Sequence, residues 1–212
     1  MIQASGAYGS LTELVLASAS PRRRELLAMA GLDFEVLPGA AEPEPQAGEP
    51  PADYALRAAL AKAQDAFERR PQAVILAADT IVVLDGRILG KPRDPADALR
   101  MLTDLAGRTH EVITGCAICS PSRAPESFSV STLVTMASAP ETALAAYVAT
   151  GEPMDKAGGY AIQGRAGFLV QRIEGSYSNV VGLPVAEVLD VLASWGVIAP
   201  RKTVKFPHNG GA

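Results

Sequence analysis

Twelve residues in the middle of the chain, AVILAADTIVVL (Ala73–Leu84), constrain the fold more than any others. The run is the most apolar in the sequence and predicts a central β-strand with one hydrophilic interruption, at Asp79. Asp85-Gly86 then makes a tight hairpin into Arg87–Leu89. A buried carboxylate without a partner is costly, so Asp79 demands a cation, a metal or a donor beside it. A structural ion pair and a functional acid would both meet that demand. Lys91 follows a hairpin that begins only six residues after Asp79, so the turn can fold it back toward that carboxylate.

The flanking segments fill in the class. Leu14–Ala17 reads as another buried strand. Ser20 suits a helix N-cap, Pro21 the first helical position, and Leu26, Leu27 and Ala30 an inward face ended by Gly31. Phe34–Leu37 is a short strand, followed by an acidic, proline-rich loop from Pro38 to Pro51. Ala52–Arg70 is a long helix with Leu56, Leu60, Ala63 and Phe67 at helical spacing, and Lys62 borders that face. Asp94-Pro95 opens a helix with Leu99, Leu102 and Leu105 inward and Gly107 closing it. Two longer strands, Thr109–Cys119 and Phe128–Met136, precede a helix, Pro140–Thr150, stopped by Gly151 and Pro153. DKAGGYAIQGRAG is a glycine-rich loop leading to strand Phe168–Ile173, and Pro184–Trp195 is the last helix.

Strands and helices alternate, with hairpins in the middle, which implies an α/β fold around a mixed sheet. No repeat or internal boundary appears. Residues 1–12 read as an extension, 13–197 as a single domain and 198–212 as a loose basic tail.

Several function classes drop out. A net charge of −4 argues against general nucleic-acid binding, which needs a basic face. No apolar run approaches the roughly 20 residues of a membrane span. The opening MIQASGAYGSLTE lacks the blocks of a secretory signal, so the expected location is the cytoplasm. Only two histidines, His110 and His208, are present, which disfavours a Ser-His-Asp hydrolase and a His-ligated zinc site. GRILGKP (Gly86–Pro92) has the outline of a Walker A loop but is one residue short between glycines, and Pro92 replaces the magnesium-binding hydroxyl. Cys116 and Cys119 lie on a strand and point to opposite faces, about 10 Å apart. That exceeds disulfide reach, so both are read as inert thiols. A homodimer is compatible with the chain, though the pattern marks no surface for one.

LVLASASPRRRELLAMAG (Leu14–Gly31) is harder to dismiss. A strand end running into a helix start presents free backbone N–H groups, and Ser18 and Ser20 add hydroxyls. Arg22, Arg23 and Arg24 stand in the first turn, where each cation loses about 0.3–1 kcal/mol against the helix dipole. Such crowding makes sense if a polyanion binds there, because arginine forks suit phosphate oxygens. On this stretch alone, arginines facing solvent or paired with Glu25 are an equally good reading.

Taken together, SASPRRRELL, Ala58–Ala63 with its lysine, AADTIVVLDGRILGKPRD, DKAGGYAIQG and GSYSNVVGLP resemble the Maf family of nucleoside triphosphate pyrophosphatases, in order from Leu14 to Trp195. The resemblance implies an elongated mixed β-sheet with flanking helices and two lobes around a central cleft, the Maf/ITPase-like arrangement. It implies hydrolysis between the α- and β-phosphates, with a divalent cation, magnesium or manganese, as cofactor. Ser18, Ser20, Arg22, Arg23, Lys62 and Lys91 would hold phosphates, and Asp79 would accept the proton. Free aspartate, with a pKa of about 3.9, is a weak base at neutral pH, so a metal that acidifies the attacking water is the natural complement. Asp79 is thus itself a candidate metal ligand.

The family usually carries two adjacent acids after its second strand. This chain has Ala41-Glu42-Pro43-Glu44, which leaves Glu42 and Glu44 as alternative metal ligands. Arg22, Thr80 and Gln163 resemble the positions shared by members acting on dTTP and UTP. A Gln amide can accept from pyrimidine N3–H while donating to O4, but rotated by half a turn it suits cytosine. Selection therefore needs neighbours that orient Gln163, with Tyr160 and Arg165 as candidates, and Asp155 and Lys156 in the same wall. The resemblance also implies a link to cell-division arrest. Two alternatives stay open: another base preference, such as 7-methyl-GTP or a broad range, and a nucleotide-binding regulator of septum formation with little turnover.

Overall fold

A computed structural model describes residues 6–201, so most of the expected tail, 202–212, lies outside the described residues, as do residues 1–5. The chain enters through Tyr8–Ser10 (β1) and reaches the core at Leu14–Leu16 (β2). Ser20 caps Pro21–Met29 (α1) by accepting from the Arg23 N–H, and Pro21 occupies the first turn, where its missing N–H costs nothing. Leu26 and Leu27 are buried, while Ala30 is half-buried just past the helix. Glu35–Val36 (β3) returns parallel to β2.

The long helix is Pro51–Arg69 (α2), and its face differs from the one the leucine spacing predicts. Tyr54, Ala55, Ala58, Ala59, Lys62, Ala63 and Ala66 are buried, while Leu56, Leu60 and Phe67 are half-buried at the margin. Close approach decides this. A Cβ built on Gly115, in the sheet beneath, would lie 2.4 Å from the Ala55 carbonyl carbon, a separation that only small side chains permit.

Val74–Leu84 (β4) is the central strand, and Asp85 and Gly86 turn it into Arg87–Leu89 (β5) with φ of 50° and 74°, as a two-residue hairpin requires. Asp94 caps Pro95–Leu105 (α3), whose buried residues are Asp97, Ala98, Met101, Leu102 and Leu105, with Leu99 half-buried. Thr109–Ser120 (β6) and Arg123–Met136 (β7) form the long hairpin, and β7 starts earlier than its apolar pattern suggests because its first residues are exposed. Glu141–Val148 (α4) leads through short 3-10 turns to Val170–Glu174 (β8). Tyr177–Val181 (α5), too short for periodicity to reveal, and Val185–Ser194 (α6) follow. Ile198–Pro200 (β9), grouped by sequence with the tail, instead pairs antiparallel with β1, because Val197 and Ile198 carry apolar side chains into the core.

The main sheet has seven strands in the order β3-β2-β4-β6-β7-β8, with β5 beside β4. Among the described residues, only the β2 pairings with β3 and β4 are parallel. Successive β4 residues alternate between α2 on one face and the cores under α1, α6 and α3 on the other. One edge of β4 is shared: β2 takes Val74–Leu76 and β5 takes Val82–Leu84. Among the described residues, 77–81 have no strand partner on that edge. The break separates a lobe of α1, α6, β2 and β3 from one of α3, α4 and β5. Asp79 and Thr80 sit in it.

Cys116 and Cys119 face opposite sides of β6 as free, buried thiols, and burial pushes Cys116 up to about 12. No helix among the described residues is long and apolar enough to cross a membrane.

The second lobe contains a buried titratable group. His110 is 3% exposed, its Nε2 lies 2.7 Å from the Tyr160 hydroxyl, and its Nδ1 has no partner among the described residues. Burial lowers its pKa from 6.5 to about 4. The unfolded chain therefore binds a proton below pH 6.5 that the folded chain refuses until about pH 4, so this contribution is complete above pH 6.5 and lost as pH falls. At about 1.4 kcal/mol per unit, wild type should lose about 3 kcal/mol more than His110→Gln across that window. Parallel denaturation midpoints from pH 7.5 to 4.5 would contradict it.

Candidate active site

The break in β4 opens a cleft of about 1350 Å³ lined by Ser18, Ser20, Arg22, Arg23, Glu42, Glu44, Lys62, Asp79, Thr80, Lys91 and Gln163, while Arg165 lies outside that lining. Arg24 is exposed outside that lining. The arginine run thus divides, two side chains on the cleft and one away from it.

Alternation along β4 sends Asp79 and Thr80 to opposite faces, and each meets a cation. Asp79, 3% exposed, accepts from Lys62 Nζ at 2.6 Å. The same ammonium donates to Glu42 Oε1 at 3.0 Å, and Lys91 Nζ stands 3.9 Å from that oxygen. Lys62 is only 8% exposed, so the border lysine of the helix reading is an internal counter-ion. Burial pushes the Glu42 carboxyl up, but Lys62, Lys91 and Arg23 outweigh it and hold it below the ordinary range. Tyr54, which sequence reasoning missed, lies beside these acids; burial, then Asp79 and Glu42, push its hydroxyl up to about 12 and keep it protonated.

On the other face, Arg23 donates from Nε to the Gly182 carbonyl at 2.7 Å, from Nη1 to Ser18 Oγ at 3.2 Å and from Nη2 to Thr80 Oγ1 at 2.9 Å. Burial lowers its pKa, opposed by Asp79 and Glu42. Among the described residues no carboxylate lies within salt-bridge distance of it. Three of the five guanidinium N–H groups are used on neutral acceptors, which leaves donors and a full charge for an anion. Thr80 acts here as an Arg23 holder, its hydroxyl also 2.9 Å from Thr114 Oγ1. The Gly182 carbonyl is a second missed feature. It ends α5, and its φ of 129° is what only glycine adopts freely.

The acidic loop is delivered to Lys62 by close packing. A Cβ on Gly39 would fall 2.3 Å from the Lys62 carbonyl oxygen. Further along, the Arg57 fork holds Glu49 through two 2.7 Å bonds and the Glu44 carbonyl at 3.0 Å. This brings Glu42 to Lys62 and Asp79, whereas Glu44 meets Arg57 through its backbone.

Glu42 and Asp79 supply hard oxygen donors around one positive charge, a set that suits magnesium or manganese completed by phosphate oxygens and water. Among the described residues no three His, Cys, Asp or Glu side chains gather into a ready-made metal site.

Across the cleft, Gln163 projects from the glycine-rich loop, and Asp155, Lys156 and Tyr160 share its wall. Neither candidate for orienting Gln163 does so. The Tyr160 hydroxyl is engaged by His110, and Arg165 offers its backbone N–H to Glu152 instead.

A family model described as Maf-like protein matches residues 13–195. A dTTP/UTP pyrophosphatase of Nitratidesulfovibrio vulgaris is 50% identical over 209 residues, covering 98% of this chain and 100% of that relative. Another dTTP/UTP pyrophosphatase, from Oleidesulfovibrio alaskensis, is 49% identical over 210 residues, covering 98% and 96%. Among solved structures, a HAM1 protein from Coxiella burnetii aligns with 87% of this chain and 100% of its own, at 18% identity and a TM-score of 0.49.

Proposed function

This chain belongs to the Maf family, and on that premise we propose that it is a nucleotide pyrophosphatase that hydrolyses dTTP and UTP to the monophosphate and pyrophosphate. The observation that carries this reading is the split around β4: an anion-ready arginine on one face, a lysine-paired carboxylate on the other, both lining one cleft.

In the proposed reaction the triphosphate lies along the break. Arg22 and Arg23, with Ser18 and Ser20, hold phosphate oxygens at the start of α1, and Lys91 meets the chain from the β5 side. Lys62 neutralises Asp79 and Glu42 while the cleft is free and turns to phosphate charge when nucleotide enters. Asp79 accepts the proton of the attacking water. Glu42 and Asp79 would hold a divalent cation, which supplies charge neutralisation and a more acidic water. Gln163 faces the base. Preorganised cations in a low-dielectric cleft favour the charge that develops on the leaving pyrophosphate.

The test is pyrophosphate release from each nucleoside triphosphate with magnesium or manganese. Faster release from UTP and dTTP than from CTP, ATP and GTP is expected. Equal rates on purines and pyrimidines would remove the base assignment, and tight UTP binding without release would favour a nucleotide-binding regulator.

A further inference from the structure

The Gln163 amide has no hydrogen-bond partner among the described residues, yet the turn that carries it is held firmly from below. Gly164 N–H donates to the Ala161 carbonyl at 3.0 Å, closing a turn around Ile162 and Gln163. Glu152, at the start of the 3-10 turn Glu152–Asp155, then fastens the Gln163 turn to the lobe. Its Oε2 accepts the Arg165 backbone N–H at 3.1 Å, and its Oε1 accepts the Tyr147 hydroxyl at 3.0 Å. A Cβ on Gly164 would lie 2.3 Å from Glu152 Oε1, so the carboxylate fills the space a side chain would need. Tyr147 is 3% exposed in the core of the second lobe. Burial and Glu152 push its hydroxyl up while the Ala161 backbone pulls against them.

We propose that Glu152 is a positioning residue for base selection: by clamping the Gln163 turn to Tyr147 it sets the depth at which the turn meets the nucleobase. The inference rests on the dTTP/UTP reading and deepens it. At fixed depth the Gln163 amide reaches the imide edge of a 4-oxo pyrimidine, and a purine meets a wall. A released turn admits larger or 4-amino bases at little cost. The phosphate-binding and proton-accepting groups stand on or beside α1, α2, β4 and β5, so the clamp affects base binding and leaves the chemical step alone.

The experiment compares wild type, Glu152→Ala and Glu152→Gln by pyrophosphate release from UTP, CTP and ATP. Glu152→Ala is expected to raise the KM for UTP about tenfold and keep kcat within about twofold. Its UTP/CTP and UTP/ATP ratios of kcat/KM should fall about tenfold. Glu152→Gln is expected to restore them, since its amide oxygen accepts from Arg165 N–H and its NH2 donates to the Tyr147 hydroxyl, which can reverse. A selective wild type with an equally selective Ala variant overturns this inference alone, as does a proportional loss of kcat on every nucleotide. A wild type with no base preference overturns the substrate reading and this inference with it. Should Glu152→Ala not fold, Tyr147→Phe removes one contact and keeps the ring, and the same shift at about threefold is expected; unchanged ratios there overturn the clamp.

Discussion

Asp79→Asn is expected to lower kcat by about 10³-fold or more while UTP still binds. Asparagine keeps the volume and one oxygen for Lys62, so the 2.6 Å contact has a neutral successor and β4 keeps its place in the sheet. What disappears is the carboxylate that takes the proton of the attacking water. The phosphate contacts assigned to Arg22, Arg23 and Lys91 are untouched, and the cleft loses a negative charge that opposes a triphosphate. Equilibrium binding of UTP should therefore hold constant or tighten. Single-turnover assays beside titration calorimetry separate the two quantities. Retained turnover would remove Asp79 from the chemistry, and activity regained at high magnesium or manganese would identify it chiefly as a ligand.

Gly115→Ala is expected to be among the most damaging single methyl additions in the fold. Gly115 sits opposite Asp79 in the β4–β6 register, and the new carbon would meet the Ala55 backbone of α2 at 2.4 Å. No side chain can rotate out of the way, because the obstacle is main chain. Either the helix lifts or the sheet bends, at a cost of about 3 kcal/mol and roughly 6–12 °C in Tm. Lys62 lies two turns beyond Ala55 on the same buried face, so lifting α2 also draws the ammonium from Asp79. A lower Tm and weaker turnover should appear together, with UTP recovering part of the stability by mass action. A variant as stable and active as wild type would contradict the close packing described here.

Much of the architecture can be read from local pattern. The apolar run ending in Asp85-Gly86 announces a central strand and hairpin because burial and positive φ leave few alternatives. Ser20-Pro21 and Asp94-Pro95 mark helix starts for reasons of capping geometry. The α2 face is less legible: leucine spacing points one way, and a glycine some 60 residues later in the chain makes the alanines the better fit. Nor does any local pattern show α5, β9 or the Glu152 clamp, each built from contacts between distant segments.

Residue chemistry alone determined that this chain makes an α/β sheet and that Asp79 needs a cation. The RRR run, read alone, left phosphate binding and solvent exposure equally open. Only the tertiary structure decided which cation, which acid and which neighbours. Lys62 became the partner because α2 packs within methyl distance of Gly115, and Glu42 joined because Gly39 lies against the Lys62 backbone. The physical reason is range: backbone preference and periodicity act over a few residues, whereas a charge in a cleft is set by whatever the whole chain brings within a few ångströms of it.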